Sequence, residues 1–164
     1  MQNQTEAPAQ RPLFLTVLCV LTFISAVSGL WTQSERLWTP GVVADQMQQM
    51  FETFRENMEE RSQEADSDIV NSLFDSVLTR LDADTIQTSA IILLIYESLT
   101  LFGAYLMWGL QKRGFYFYAG GVAVALLVPV LLIGGWLGLV VTLGEAFFSI
   151  IFLGLYALNL KYMQ

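Results

Sequence analysis

Two acidic residues stand in apolar surroundings. Glu97 lies inside "IILLIYESLTLFGAYLMWGL", residues 91 to 110, and Glu145 lies inside the apolar stretch from Phe115 to Leu160. A carboxylate in a low-dielectric medium tends to stay protonated unless a cation or several donors stabilise its charge, and two neighbouring carboxylates can share one proton. The chemistry open to this pair is a proton relay, a cation step, or a hydrogen bond or ion pair that joins helices. Candidate donors are Thr100, Thr142, Tyr96 and Ser149. At helical spacing Thr142, Glu145 and Ser149 share a face with Gly138, Phe152 and Tyr156, while Glu97, Thr100, Ala104 and Gln111 form a second stripe. A third comprises Thr16, Cys19, Thr22 or Phe23, Ala26, Gly29 and Gln33. Small and polar residues on facing helices permit close approach and interhelical hydrogen bonds, so the stripes predict an intramembrane polar seam of Glu97, Glu145, Thr100, Thr142 and Ser149.

The elements that must position this seam follow from composition. Of 164 residues 54% are hydrophobic, and 15 acidic residues face 8 basic ones. The mean hydropathy is nevertheless positive, which points to a chain with two solvents. About twenty residues at 1.5 Å each span a hydrocarbon core. Residues 12–31 and 88–110 each provide one span, and 115–160 provides two, 115–135 and 136–160, with a break at Gly134, Gly135 and Trp136. The expected fold is thus all-α, an integral membrane four-helix bundle with an extracytoplasmic helical hairpin at 32–87. A short cytoplasmic N-terminus (1–11), a cytoplasmic loop (111–114) and a cytoplasmic C-terminus (161–164) complete it. Arg11, Lys112, Arg113 and Lys161 all fall on one side in that arrangement, and in 32–87 four arginines are outnumbered by twelve acids, so basic-residue bias predicts both termini in the cytoplasm. The first span also has features of a secretory signal, with Arg11 ahead of the apolar run and small residues in "SAVSG"; it is read here as a retained span. Cys19, deep in that run behind Leu18, does not suit a lipid-attachment site.

Both glutamates then sit at a similar depth near the middle of the bilayer. Gly134 and Gly138 in "GGWLG" and Gly120 with Gly121 offer close helix contacts, and Pro129 in "LLVPVLL" frees a backbone carbonyl and is expected to bend its helix. Trp31, Trp38, Trp108, Trp136, Tyr116, Tyr118 and Tyr162 are expected to anchor span ends at the interface.

In "TPGVVADQMQQMFETFRENMEER" Thr39 can cap and Pro40 can take the first helical position, after which Val43, Met47, Met50, Phe54 and Met58 recur at helical spacing. After "SQEADSD", residues Ile69, Leu73, Val77 and Leu81 repeat that spacing. Two such helices can pair as a hairpin, too small to form a rich core alone, whose Met47, Met50, Phe54, Met58, Leu73 and Val77 are the predicted partner-binding surface. The methionines continue an apolar stripe and do not by themselves make a metal site.

No histidine is present and the single cysteine forms neither an internal disulfide nor a cluster, so histidine-ligated haem or zinc is excluded. No phosphate loop, dinucleotide fingerprint or nucleophile elbow occurs, and the cytoplasmic loops are too short for a soluble catalytic domain. No catalytic residue, cofactor or metal is expected. The acidic hairpin repels a phosphate backbone, which argues against nucleic acid.

The opening "RPLFLTVLCVLTFISAVSGLW", an Arg-Pro pair leading into a Phe-Leu-Thr helix, resembles the start of small uncharacterised inner-membrane proteins from Bacteroidota. The resemblance covers about twenty residues and implies a bacterial inner membrane with a periplasmic hairpin, but no activity. The expected function is an accessory or assembly subunit of a larger inner-membrane complex, docking on other integral membrane subunits, a basic intramembrane residue on one of them being a natural partner for a carboxylate, and on lipid or a second copy. The alternative is a small oligomeric proton-coupled transporter using the two glutamates.

Overall fold

The computed structural model describes residues 12–59, 72, 75, 78, 79, 82–132 and 135–164; within these, the side chains at 59, 135–141 and 144–146 are not described. Five helices are present among the described residues: α1 (Leu13–Trp38), α2 (Pro40–Glu59), α3 (Ala83–Trp108), α4 (Arg113–Leu132) and α5 (Gly135–Asn159), followed by a 3-10 turn at Leu160–Tyr162.

The apolar run of α1 does not stop at the membrane boundary suggested by residue 31. Its last two turns are largely polar and still helical; in them Thr32 and Ser34 donate their hydroxyls to the carbonyls of Ser28 and Leu30, and Trp31 Nε1 donates to Glu35 Oε1 at 3.0 Å. Only Thr39 separates α1 from α2. Pro40 opens α2, where its missing N–H is no loss, but the Thr39 hydroxyl donates back to Glu35 O at 2.9 Å. At the start of α3 the carboxylate of Asp82 accepts a hydrogen bond from the Thr85 amide at 2.8 Å and supplies the missing N-terminal acceptor.

α3 is the hub. Half of its most apolar window is buried within the protein, against 28% for the corresponding windows of α1 and α4. The main core joins Leu15, Leu18 and Cys19 of α1, Leu93 and Met107 of α3, and Val122 of α4 to aromatic residues of α3, α4 and α5. The α3–α4 hairpin is drawn together by two glycines. A Cβ at Gly103 would lie 2.7 Å from Gly114 O and Tyr118 N, and one at Gly114 would lie 2.7 Å from Met107 N. Between them Leu110 takes a left-handed φ of 61°, with its amide bonded to Met107 O and that of Gln111 to Leu106 O. Gln164 closes on this turn through two backbone hydrogen bonds, to Leu110 and Lys112. Pro129 is buried inside α4.

The expected four-helix bundle is corrected. Among the described residues there are five helices, and three of them, α1, α3 and α4, are long and apolar enough to cross a membrane. The shorter apolar stretch identified among the described residues is Phe147–Tyr162, covering the later part of α5 and the turn after it. Three crossings carry the start of α1 and the end of α4 to opposite faces, so the localisation with N- and C-terminus both cytoplasmic does not stand. What holds is a multi-pass, all-α membrane protein. Its large exposed side chains, such as Ile24, Phe102, Leu131 and Phe147, would be a liability in water and are ordinary against lipid.

α2 packs on the start of α3, with Val43, Ala44, Met47 and Phe51 against Ile86. This inward face keeps Val43 and Met47 of the predicted stripe but turns from it further along: Met50 and Phe54 are exposed, and Phe51 is half-buried in their place. Leu73 and Val77, in the second half of the predicted hairpin, lie outside the described residues. Arg55 Nη1 donates to Asp75 Oδ1 at 3.3 Å, an exposed pair of small energetic weight.

Candidate functional site: a buried polar seam around Glu97

Glu97 occupies the middle of α3 and is 8% exposed. It is held there by what faces it on α1. Gly29 lies opposite, and an added Cβ there would fall on the carboxyl group, so only a glycine leaves room for it. One turn along α3, Thr100 is 2% exposed and donates its hydroxyl to the main-chain carbonyl of Glu97 at 3.1 Å. That helical back-bond fixes the hydroxyl and leaves its oxygen lone pairs free to turn elsewhere.

Two further hydrogen bonds join α5 to the other helices. Tyr96 Oη lies 2.8 Å from Ser149 Oγ, linking α3 to α5, and Thr22 Oγ1 lies 2.8 Å from Tyr156 Oη, linking α1 to α5. All four hydroxyls are buried. Tyr118 of α4 stacks at a tilt on Tyr156, with centroids 5.0 Å apart. A half-open pocket of about 50 Å³ lies among these helices, and its polar wall includes Thr22, Glu97, Thr100 and Ser149 with the exposed Ser25.

Of the predicted seam, Glu97, Thr100 and Ser149 are therefore brought together. Thr142 is half-buried on α5 and does not line this cavity. The side chain of Glu145 is outside the described set, and among the described residues Glu97 is the buried glutamate. No cluster of three or more metal-ligating His, Cys, Asp or Glu residues occurs among the described residues.

Sequence reading missed Ser25 and misassigned Tyr118. Ser25 lies three residues beyond Thr22 and four before Gly29, so it belongs to the same face of α1. Tyr118 was expected at the interface with Tyr116, yet it is buried while Tyr116 is exposed. Its position four residues after Gly114 and three before Gly121, both in close contact with α3, marks it as part of the packed face. Trp31 and Trp38 are exposed near the end of α1, as interfacial rings would be, whereas Trp108 is partly buried and packs on Phe23 at 5.8 Å.

On the predicted partner surface, Met47 is half-buried against α3, Met58 is half-buried, and Met50 and Phe54 remain exposed. These two lie in a shallow groove with Gln46, Gln49, Thr53 and Asn57.

Fold and site together define a multi-pass helical membrane protein with a buried, carboxylate-bearing seam and a helix outside the spans. Beyond that class, no family model matches the chain, and no curated protein or solved structure matches it either.

Proposed function

We propose that this protein is an accessory or assembly subunit of a larger inner-membrane complex, in which α2 is the docking element and the seam keeps the spanning helices in register beneath it. The observation that carries this reading is the outward stripe of α2. Gln46, Gln49, Met50, Thr53, Phe54 and Asn57 recur at three and four residues and so form one continuous face. That face carries no charge, although the helix also bears Asp45, Glu52 and Glu56, which fall beside it. Met50 is 59% exposed and Phe54 57%, a pairing of soft apolar anchors with amide and hydroxyl groups that suits a protein surface.

The segment that carries α2 joins the end of α1 to the start of α3 and sits on one aqueous side, extracytoplasmic in this proposal and periplasmic if the membrane is a bacterial inner membrane. The partner is another integral membrane subunit. Glu97 faces inward among this chain's own helices, so docking rests on α2, and the chain contributes no catalytic step. The test is recovery of the intact protein from its native membrane in mild detergent, with its companions identified, for wild type and for Met50→Glu and Phe54→Glu. Loss of one stoichiometric membrane partner in both variants supports the reading. Recovery of self-oligomers alone, unchanged by either substitution, overturns it.

A second reading, a small oligomeric proton-coupled transporter, is favoured by the cavity beside Glu97, because an ionisable side chain next to a polar void is what a coupling site requires.

A further inference from the structure

Away from the seam, α1 and α3 form an open groove of about 440 Å³ lined by Phe23, Leu30, Ser98, Leu101, Phe102 and Tyr105. That volume lies within the roughly 300–1,000 Å³ typical of organic-ligand sites. Phe23, Leu30 and Leu101 are half-buried while Phe102 and Tyr105 are exposed, so the groove has a floor and, on the outer surface of two spanning helices, opens to lipid. Its wall suits a hydrocarbon chain. Ser98 donates its hydroxyl to Leu94 O of its own helix at 2.7 Å, and the other lining side chains present carbon except for the Tyr105 hydroxyl. Phe23 to Leu30 and Ser98 to Tyr105 each cover two helical turns, a length of about 10 Å.

One end of the groove is charged. Phe23 packs on Trp108 with ring centroids 5.8 Å apart, and Tyr105 stands one turn before Trp108, so these residues mark the end nearest the α3–α4 turn. Lys112 and Arg113 are exposed in that turn and at the start of α4. Arg113 precedes Phe117 by four residues and shares its face of α4, and the Phe117 ring meets Phe102 edge-on at 5.0 Å. A continuous surface thus runs from Arg113 over Phe117 into the groove. The described residues at this end, 12–18, 105–117 and 156–164, include no acidic side chain. An amphiphile matches the pattern, with hydrocarbon along the groove and an anion at its mouth. Arginine offers phosphate a fork of donors and lysine a mobile point charge, and basic residues beside membrane spans attract anionic lipid. A span from another protein would fill the groove without using the cations.

We infer that the α1–α3 groove binds an anionic phospholipid, with one acyl chain between Phe23, Leu30, Leu101 and Phe102 and the phosphate at Lys112 and Arg113. The headgroup end lies across the membrane from α2, so this inference is independent of the docking role of that helix.

Native mass spectrometry of the full-length protein tests it, by counting the lipid retained after incubation in mild detergent with phosphatidylglycerol or with phosphatidylcholine of identical chains. Wild type should retain several-fold more phosphatidylglycerol. Lys112→Gln/Arg113→Gln should lose that preference, and Ser98→Phe, which puts a ring in the groove, should retain less of either lipid. All three positions are exposed, so these variants leave the packed core alone. Equal retention of the two lipids by wild type, or a preference that survives the loss of both cations, overturns the proposal. Phosphatidylglycerol retention untouched by Ser98→Phe also overturns it, leaving a diffuse attraction to a basic membrane edge. Retention of a second copy in place of lipid makes the groove a helix-packing surface and overturns it likewise.

Discussion

Gly29 and the carboxyl group of Glu97 share one notch between α1 and α3. A Cβ at Gly29 would coincide with Oε1 and approach Cγ to 3.0 Å. Glycine is required here for space and not for backbone conformation, since Gly29 has no left-handed φ and lies inside α1. The first prediction follows directly. Gly29→Ala should lower stability by about 1–3 kcal/mol, the usual cost of overpacking a filled site. Glu97→Ala vacates the space the new methyl needs, so the double variant should be more stable than the sum of the two single losses by roughly 0.5 kcal/mol or more. Thermal unfolding of the four proteins in one detergent measures the coupling, and additive losses would show that the two residues do not touch.

The glycines of the α3–α4 hairpin give a sharper contrast. At Gly114 the neighbour of an added methyl is the Met107 backbone amide at 2.7 Å, which cannot rotate away; at Gly120, six residues on, nothing lies within 4 Å. Gly114→Ala should therefore separate the two helices and cost about 1–3 kcal/mol, while Gly120→Ala should stay within roughly 0.5 kcal/mol of wild type. The same unfolding assay decides it. Equal effects would mean that helix propensity, and not backbone contact, sets the response.

Much of this arrangement was legible in the sequence, for physical reasons that also explain what was not. A charge in a long apolar run can be read at once, since lipid tolerates few of them, and Glu97 was found that way. Spacing of three and four placed Thr100 beside it and Ala26 and Gly29 on one face of α1 with either Thr22 or Phe23; those faces do meet, and Thr22 is the one that lines the pocket. Helix phase outside the membrane was harder. In α2 both Met50 and Phe51 are apolar, so periodicity alone permits either to face inward; contact with Ile86 selects the face of Phe51. Tyr118 misled because a tyrosine near a span end suits the interface, whereas its actual setting is decided by two flanking glycines that let α3 come close. From the length of 115–160 hydropathy counts four spans, whereas among the described residues three helices are long and apolar enough to cross a membrane.

The bond between Tyr96 Oη and Ser149 Oγ joins side chains 53 positions apart and ties α5 to the hub helix. Inside a bilayer such interhelical hydrogen bonds are worth about 0.6 kcal/mol on average, since the separated helices also find partners. Tyr96→Phe and Ser149→Ala should each cause a modest loss, and the Tyr96→Phe/Ser149→Ala double variant should recover about 0.6 kcal/mol relative to their sum. A double-mutant cycle reads this coupling. A coupling of zero would show that each hydroxyl has an equally good partner elsewhere.

Asp82 supplies a prediction about pH that lies outside the spans. The Thr85 hydroxyl and amide, hydrogen-bonding to its carboxylate at the start of α3, hold its pKa below the ordinary value of 3.8. A carboxyl depressed in the folded state contributes stability above its unfolded value and loses that contribution as pH falls through the folded one. The cap should thus be intact at neutral pH and weaken only in acid, beginning near the ordinary value. Because the group is solvent-exposed, its effect belongs toward the low end of the roughly 0.5–2 kcal/mol typical of an N-cap. Asp82→Ala should show this loss at pH 7 and converge on wild type in strong acid, whereas Asp82→Asn, which keeps a capping oxygen without the charge, should lose less and show a flatter acid response. Unfolding midpoints of the three proteins across an acid series measure it. An Asp82→Ala deficit that persists undiminished in acid would locate the effect in packing and not in the ionised cap.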